Sequence, residues 1–138
     1  MHSFEDIEAG IRIGCFARSL AELEAHTKDL RRLDPIRFDV TRAELLYNTS
    51  QVAAASSLAV TLLNGPGLSS SHAARLAYVA AMSAFEGARF SDSLDYINKS
   101  LRVAQAAKDA RLVAIAQLGL FRLIADAEDS RSKGTSWK

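Results

Sequence analysis

The chain has 138 residues and a net charge of +1 at pH 7, and 49% of its residues are hydrophobic while only 7% are aromatic. A chain of this length is typical of one domain with a buried core. The near-neutral charge argues against the concentrated basic surface with which proteins bind nucleic acids or anionic membranes. We therefore expect neither a nucleic-acid partner nor a membrane partner.

The first segment, residues 4–33, places apolar side chains every three to five positions, which is a helical period. Gly10 or Gly14 is expected to interrupt this helix, because glycine weakens helices. Residues 17–33 carry the clearer half of the pattern and are expected to form one helix. The helix is expected to end before Pro35, since proline disfavours helical geometry in the residue that precedes it.

Two helix pairs and a final helix follow. These five helices are expected over residues 38–47, 51–63, 70–87, 91–107 and 109–127. Residues 48–50 and 87–89 are expected to form the turns within the pairs, and the Asn-Gly-Pro-Gly segment at 64–67 separates the pairs. The polar residues 129–138 have the composition of a disordered end. The prediction is one domain over residues 1–128 and a flexible tail over residues 129–138.

Residues of similar size recur at an offset of 38 along the chain. Ala43, Ala81 and Gly119 occupy one position in the first helix of successive pairs. One further step back pairs Ala17 with Ala55. Small residues therefore recur where helices must touch, which indicates stacked antiparallel helix pairs that are not stable singly.

This pattern resembles the tetratricopeptide repeat family, whose units place small residues at three fixed positions around a tight turn. In the central unit these positions fall on Ala81, Ser93 and Ser100, whereas the third position of the preceding unit is Leu62. The longer spacing is similar to degenerate repeats of bacterial regulators and sensors. The resemblance implies an all-α fold in which antiparallel helix pairs form a short right-handed solenoid of about six to seven helices.

The resemblance also implies a concave face lined by the first helix of each unit. The residues expected to line this peptide- or protein-binding groove are Arg37, Glu44, Tyr47, Arg75, Tyr78, Met82 and Phe85. The arginines are expected at the surface, where they would pair with a carboxylate of the ligand. The alternative for Tyr78, Met82 and Phe85 is that they fill the core between units.

The last helix is apolar on nearly every side. The residues expected to form an interface there are Val113, Leu120, Phe121, Leu123 and Ile124. A helix that is apolar all round is normally buried, and the end of a solenoid normally needs a polar cap. Three occupants are therefore open: a second subunit in a homodimer through the C-terminal helix, the N-terminal helix, or part of a longer parent chain.

The residues that catalysis or metal binding would need are scattered. His2, His26 and His72 form no set with Cys15 at metal-ligand spacing. The serines beside His72 are better explained as a helix cap than as a nucleophile next to its base. We expect no enzyme activity, no cofactor and no metal.

No signal peptide or membrane-spanning stretch is visible in the sequence, so a cytoplasmic location is expected. The predicted function is that of a non-enzymatic scaffold that binds a protein or peptide, as the regulatory part of a bacterial signalling protein. The alternative is a fragment of a helical domain that senses a small molecule or regulates transcription. An apolar cavity, rather than an open groove, would favour that alternative.

Overall fold

A computed structural model of the protein describes residues 3–132, with the side chains of residues 3–129. These residues contain helices and turns and no strand, which confirms the predicted all-α fold. The eight helices are α1 (Phe4–Arg12), α2 (Phe16–Ala25), α3 (Thr27–Leu33), α4 (Pro35–Asn48), α5 (Val52–Leu63), α6 (Ser70–Glu86), α7 (Phe90–Ala106) and α8 (Ala110–Ser132). None of these helices has both the length and the apolar character needed to cross a bilayer.

The first segment forms three helices, so the described residues hold more than the six to seven helices expected. The break predicted near Gly14 is confirmed, and Gly14 has a φ of 84°. A single helix over residues 17–33 was wrong, because the chain leaves helical geometry at His26, where φ is −116° and ψ is 26°. The Thr27 hydroxyl donates to the Glu24 carbonyl at 2.8 Å. Such side-chain bonds compete with the backbone and favour a helix end here.

Pro35 begins a helix as well as ending the one before it. Its missing N–H group is harmless in the first turn, where backbone donors have no helical partner. The Asp34 carboxylate caps α4 by accepting from the Arg37 N–H at 3.0 Å. For this reason α4 starts three residues earlier than the apolar pattern indicated.

The same turn joins consecutive helices at four places. In each turn one residue adopts a positive φ, and these residues are Gly14, Ser50, Ala88 and Lys108. The next residue donates its N–H to a carbonyl five positions earlier, as in the 2.9 Å bond from Arg89 to Ala84. This is the Schellman arrangement, which satisfies carbonyls left free at a helix end. Three of the four turns achieve it without glycine.

Replacing Ala88 with glycine is expected to raise the free energy of unfolding by about 0.5–1 kcal/mol, because a φ of 58° strains alanine and suits glycine. The neighbouring Gly87, at a φ of −84°, does not occupy the strained position. The matched control is Ala21→Gly, an exposed position inside α2, which should lower the free energy of unfolding by about 1 kcal/mol. Urea unfolding followed by circular dichroism measures both. Destabilisation by Ala88→Gly would contradict this turn geometry.

Two helical hairpins each contain an equivalent hydrogen bond that joins their second helix to their first. In α6–α7, the buried Ser93 hydroxyl donates to the Ala81 carbonyl at 2.7 Å. In α1–α2, the buried Ser19 hydroxyl donates to the Ile7 carbonyl at 3.2 Å. Both bonds span twelve residues, so the two hairpins are packed in the same register.

The α4–α5 hairpin has the fully buried Ala43 and Ala55 at those same two positions. Ser19 of the first hairpin is therefore equivalent to Ala55 and precedes it by 36 residues. The predicted equivalence of Ala17 with Ala55 was wrong, and Ala17 is exposed. The repeat keeps its register while its length changes, because α3 and the linkers absorb the difference.

Helix α6 lies at the centre of the contacts and packs against α4, α5, α7 and α8. Helix α6 thus touches the first helices of the units on both sides, α4 and α8, as well as its own partner α7. Gly119 allows α8 to approach closely, since a Cβ there would lie 2.9 Å from Ile97 Cδ1 and 3.1 Å from Tyr78 Cε2. The right-handed solenoid itself stays a prediction.

The last helix extends further than the sequence indicated. The Asp109 carboxylate caps α8 by accepting from the Leu112 N–H at 3.1 Å. The helix continues to Ser132, past the predicted end near Ala127, and so takes up the start of the predicted flexible tail. The rest of that tail, residues 133–138, lies outside the described residues.

Candidate functional site

An open cleft of about 300 Å³ lies between α1, α4, α6 and the start of α8. Each of these helices is the first of its unit, so the cleft forms on the side that the resemblance assigned to a ligand. Its charged lining residues are Glu8, Arg12, Arg37, Glu44, Arg75, Asp109 and Arg111. The apolar side chains of Ile11 and Leu112 lie among them.

A ladder of ion pairs crosses the cleft from helix to helix. Arg37 of α4 donates two bonds to the Glu8 carboxylate of α1, at 3.3 and 2.5 Å. Arg75 of α6 donates to the Glu44 carboxylate of α4, with its Nε at 2.7 Å, and its Nη1 lies 3.6 Å from Glu8. Each glutamate therefore pairs with an arginine on the first helix of the following unit.

The ladder follows the repeat. Glu8 precedes Glu44 by 36 residues and Arg37 precedes Arg75 by 38, which are the two repeat lengths of the chain. The side chains of Glu8, Arg75 and Glu44 are only 17%, 15% and 21% exposed. These ion pairs are thus largely removed from solvent and fix how successive units sit against each other.

The expectation that Arg37 and Arg75 lie at the surface, free for a ligand carboxylate, was wrong. Internal glutamates already occupy both guanidinium groups, and the Arg37 guanidinium also lies 4.8 Å from the centre of the Phe4 ring. The hydrogen bond with Glu8 raises the pKa of Arg37 above its ordinary value, although burial opposes this effect. Both arginines shape the cleft wall.

Two other arginines of the cleft carry charge that is available to a ligand. Arg12 at the end of α1 and Arg111 at the start of α8 are exposed, and no described residue forms a hydrogen bond or ion pair with either side chain. His72, in the same cleft, has its pKa lowered by burial and then by the nearby Arg75. It is therefore mostly neutral at pH 7.

A more enclosed cavity of about 220 Å³ adjoins the charged cleft. Its apolar and aromatic lining residues are Ile11, Phe16, Tyr47, Ala74, Tyr78, Val79, Leu112 and Ile115. Burial raises the pKa of Tyr47 to about 12 and also raises that of Tyr78. A phenol is already neutral at physiological pH, and these upward shifts keep both protons available for donation to higher pH.

Five of the seven predicted groove residues line the cleft or this cavity. The exceptions are Met82 and Phe85. Met82 is 1% exposed and packs with Ala81, Ile97 and Leu123 in the core, because α8 lies against it at Gly119. Phe85 packs against the same core cluster and carries the Arg122 guanidinium 5.2 Å from its ring centre. These two side chains therefore fill the core between units, which was the alternative to lining the groove.

The sequence pattern missed the contributions of α1 and of the start of α8 to the cleft. Glu8, Ile11 and Arg12 line it from α1, while Asp109 and Arg111 line it from the other side. The sequence does contain a pattern that could have identified Glu8. With a repeat length of 36 residues, Glu8 occupies the position equivalent to Glu44. Comparison at a fixed offset of 38 does not align them.

The predicted interface on the last helix is corrected in part. Leu123 is fully buried, and Val113 and Leu120 are half-buried against the core, so none of the three belongs to the outer face. Phe121 and Ile124 are exposed as expected, at 72% and 45%. Only one side of α8 is left uncovered by the described residues.

No protein-family model matches this chain, and no curated protein or solved structure is significantly similar to it. The resemblance to the tetratricopeptide repeat family therefore stays a prediction. Among residues 3–132, no group of three or more His, Cys, Asp or Glu side chains could hold a metal ion.

Proposed function

We propose that this protein is a non-enzymatic module that binds an acidic peptide or protein segment in the cleft between α1, α4, α6 and α8. One observation carries the proposal: Arg12 and Arg111 flank the cleft with no described acidic partner, next to the apolar side chains of Ile11 and Leu112. A segment that places a carboxylate beside an apolar side chain matches both features. Such a module would serve as the regulatory part of a bacterial signalling protein in the cytoplasm.

Binding would rely on a preformed site. The ladder of Glu8, Arg37, Glu44 and Arg75 holds the first helices in place, so little ordering is needed when a ligand arrives. The aromatic side chain of Tyr78 offers rigid contact area, and tyrosine and arginine are the residues that most often dominate binding energy. Charge pairing at the cleft edge would set the orientation of the ligand and speed its encounter.

The test is selection of random peptides displayed on phage against the purified protein. We expect enrichment of peptides in which Asp or Glu lies close to an aromatic or aliphatic residue. Arg12→Glu should weaken binding of the best peptide at least about tenfold, which corresponds to about 1.4 kcal/mol. Isothermal titration calorimetry measures this change, and added salt should weaken wild-type binding because charge pairs at an open edge are screened.

The matched control for this test is Arg102→Glu, which makes the same change at an exposed position of α7 outside the cleft. It should leave the dissociation constant unchanged. The proposal fails if selection enriches no common pattern, or if both substitutions weaken binding equally, since a general charge effect would then explain the result.

Sensing of a small molecule is the second candidate function. The enclosed cavity beside Tyr47 and Tyr78 is the observation in its favour. Its volume of about 220 Å³ is below the roughly 300 Å³ at which pockets for drug-sized ligands begin, so the molecule would be small. A thermal-shift screen of small metabolites tests this alternative. Stabilisation that Ile115→Trp abolishes by filling the cavity, with peptide binding intact, would favour the sensor over the peptide module.

A further inference from the structure

One face of α8 carries large apolar side chains in water. Leu118 and Phe121 are 70% and 72% exposed, and Ala114 and Ala125 are exposed one turn to either side. The opposite face of the same helix supplies the fully buried Leu123 to the core. Two large apolar side chains on adjacent turns form a patch of the kind that marks interaction sites.

The exposed residues along this face of α8 form a stripe whose spacing is the same when counted from either end. Its exposed members are Arg111, Ala114, Leu118, Phe121, Ala125 and Glu128, with alternating spacings of three and four residues. Alternation of three and four is the spacing at which two helices pack along a shared seam. A seam that is symmetric end to end can pair with an antiparallel copy of itself.

We propose that α8 forms the two-fold interface of a homodimer in which the α8 helices of two copies lie antiparallel. The axis would pass between Leu118 and Phe121, so that Leu118 packs against the partner's Phe121. Ala114 would then face the partner's Ala125, where two small residues allow the helices to approach closely. An interface of this kind uses the same patch on both subunits.

The charges at the ends of the stripe favour a second copy of the chain as the partner of this face. They also favour an antiparallel orientation of its α8 helix. In the antiparallel pairing Arg111 faces the partner's Glu128 at both ends of the seam, whereas a parallel pairing would bring Arg111 against the partner's Arg111. Opposite charges across an interface fix its register, and like charges oppose the wrong one. Antiparallel helices also place opposite ends of their dipoles together.

The dimer does not depend on the proposed peptide binding, although Arg111 belongs to both surfaces. Two residues distinguish the peptide-binding cleft from the dimer interface. Arg12 lines only the cleft, and Phe121 lies only on the stripe. Substitutions at these two positions therefore test the two proposals independently.

The first test is sedimentation equilibrium of the full chain from about 5 to about 500 µM, a range in which small interfaces associate. The average mass should rise from the chain mass of 15.0 kDa towards twice that value. Phe121→Asp should weaken association at least about tenfold, because it places two charges in the seam. Circular dichroism should show an unchanged fold, since the side chain is exposed in the monomer.

Leu33→Asp on α3 is the matched control, because Leu33 is 75% exposed on another helix. It should leave the association unchanged. The proposal is overturned if the wild-type protein keeps the mass of one chain over the whole range. It is also overturned if the Leu33 and Phe121 variants weaken association equally.

The second test addresses direction by cross-linking in a Cys15→Ser background. A chain carrying both Ala114→Cys and Ala125→Cys should form a covalent dimer under mild oxidation, while each single variant should not. Efficient linking of the single variants would indicate a parallel pairing and overturn the proposal.

Charge exchange tests the same register without cysteine. Arg111→Glu should weaken the dimer, and adding Glu128→Arg to that variant should restore most of the affinity. Absence of any such recovery would contradict the pairing of Arg111 with the partner's Glu128.

Discussion

Replacing Ile97 with alanine is expected to lower the free energy of unfolding by about 3–4 kcal/mol, the usual range for deleting a large buried aliphatic side chain. Ile97 is fully buried where α6, α7 and α8 meet, and it packs with Met82 and Leu123. The neighbouring helices cannot collapse freely into the space left, because the turns at both ends of α7 hold them. Such a loss is a large part of the about 5–15 kcal/mol that stabilises most domains.

Urea unfolding followed by circular dichroism measures the change, and Leu33→Ala is its control. Leu33 is 75% exposed, so its truncation should change the free energy of unfolding by less than about 0.5 kcal/mol. A loss below about 1 kcal/mol for Ile97→Ala would mean that the three helices do not meet at this side chain.

A double substitution tests the close approach of α8 at the same place. A Cβ on residue 119 would lie 2.9 Å from Ile97 Cδ1, which is too close for both atoms to stay where they are. Ile97→Val removes that methyl group, so Gly119→Ala should be better tolerated in a chain that already carries Ile97→Val. We expect a favourable coupling of about 0.5 kcal/mol or more between the two changes.

Replacing Arg75 with methionine is expected to lower the free energy of unfolding by about 2–3 kcal/mol, because it leaves largely buried carboxylates without their shared cation. Glu44 would lose its ion-pair partner, and Glu8 would keep only Arg37 and lose the second positive charge nearby. Methionine preserves most of the length of the side chain, so the change reports mainly on charge. Chemical denaturation gives the value.

Arg89→Met is the matched control for the ion-pair ladder. Arg89 pairs with Asp92 at 3.5 Å, but the two side chains are 52% and 57% exposed. Surface pairs of this kind contribute about 0–1 kcal/mol, so this variant should lose little stability. Adding Glu44→Gln to Arg75→Met should recover part of the loss by removing the unpaired charge. Equal losses for the two arginine variants would contradict a structural role for the ladder.

Much of the helical content could be predicted from the sequence, because helix formation depends on local patterns. Apolar spacing located α5 to α7 and the start of α8, and the recurrence of Ala43 and Ala81 indicated stacked hairpins. The break at His26 was not predictable in this way. It depends on a hydrogen bond of Thr27 with the preceding turn, and the apolar pattern continues across it.

The candidate site was only half visible, because its other half comes from helices distant in the chain. Arg37 and Arg75 were identified as equivalent, yet their partners were not, since Glu8 lies 29 residues before Arg37 and Glu44 lies 31 before Arg75. Only the packing of successive units against each other brings these groups together. Tertiary structure thereby changed the arginines from expected ligand contacts into parts of the cleft wall.

By itself, then, the sequence determined the all-α fold, the hairpins and their approximate repeat, because these follow from periodicity and turn residues close together in the chain. The tertiary structure alone decided which sides of the helices face outward. Met82 and Phe121 are both large apolar residues on first helices, but Met82 is covered at Gly119 and Phe121 remains in water. The physical reason is that burial depends on how closely neighbouring helices approach, and that distance is set by residues from the whole stack.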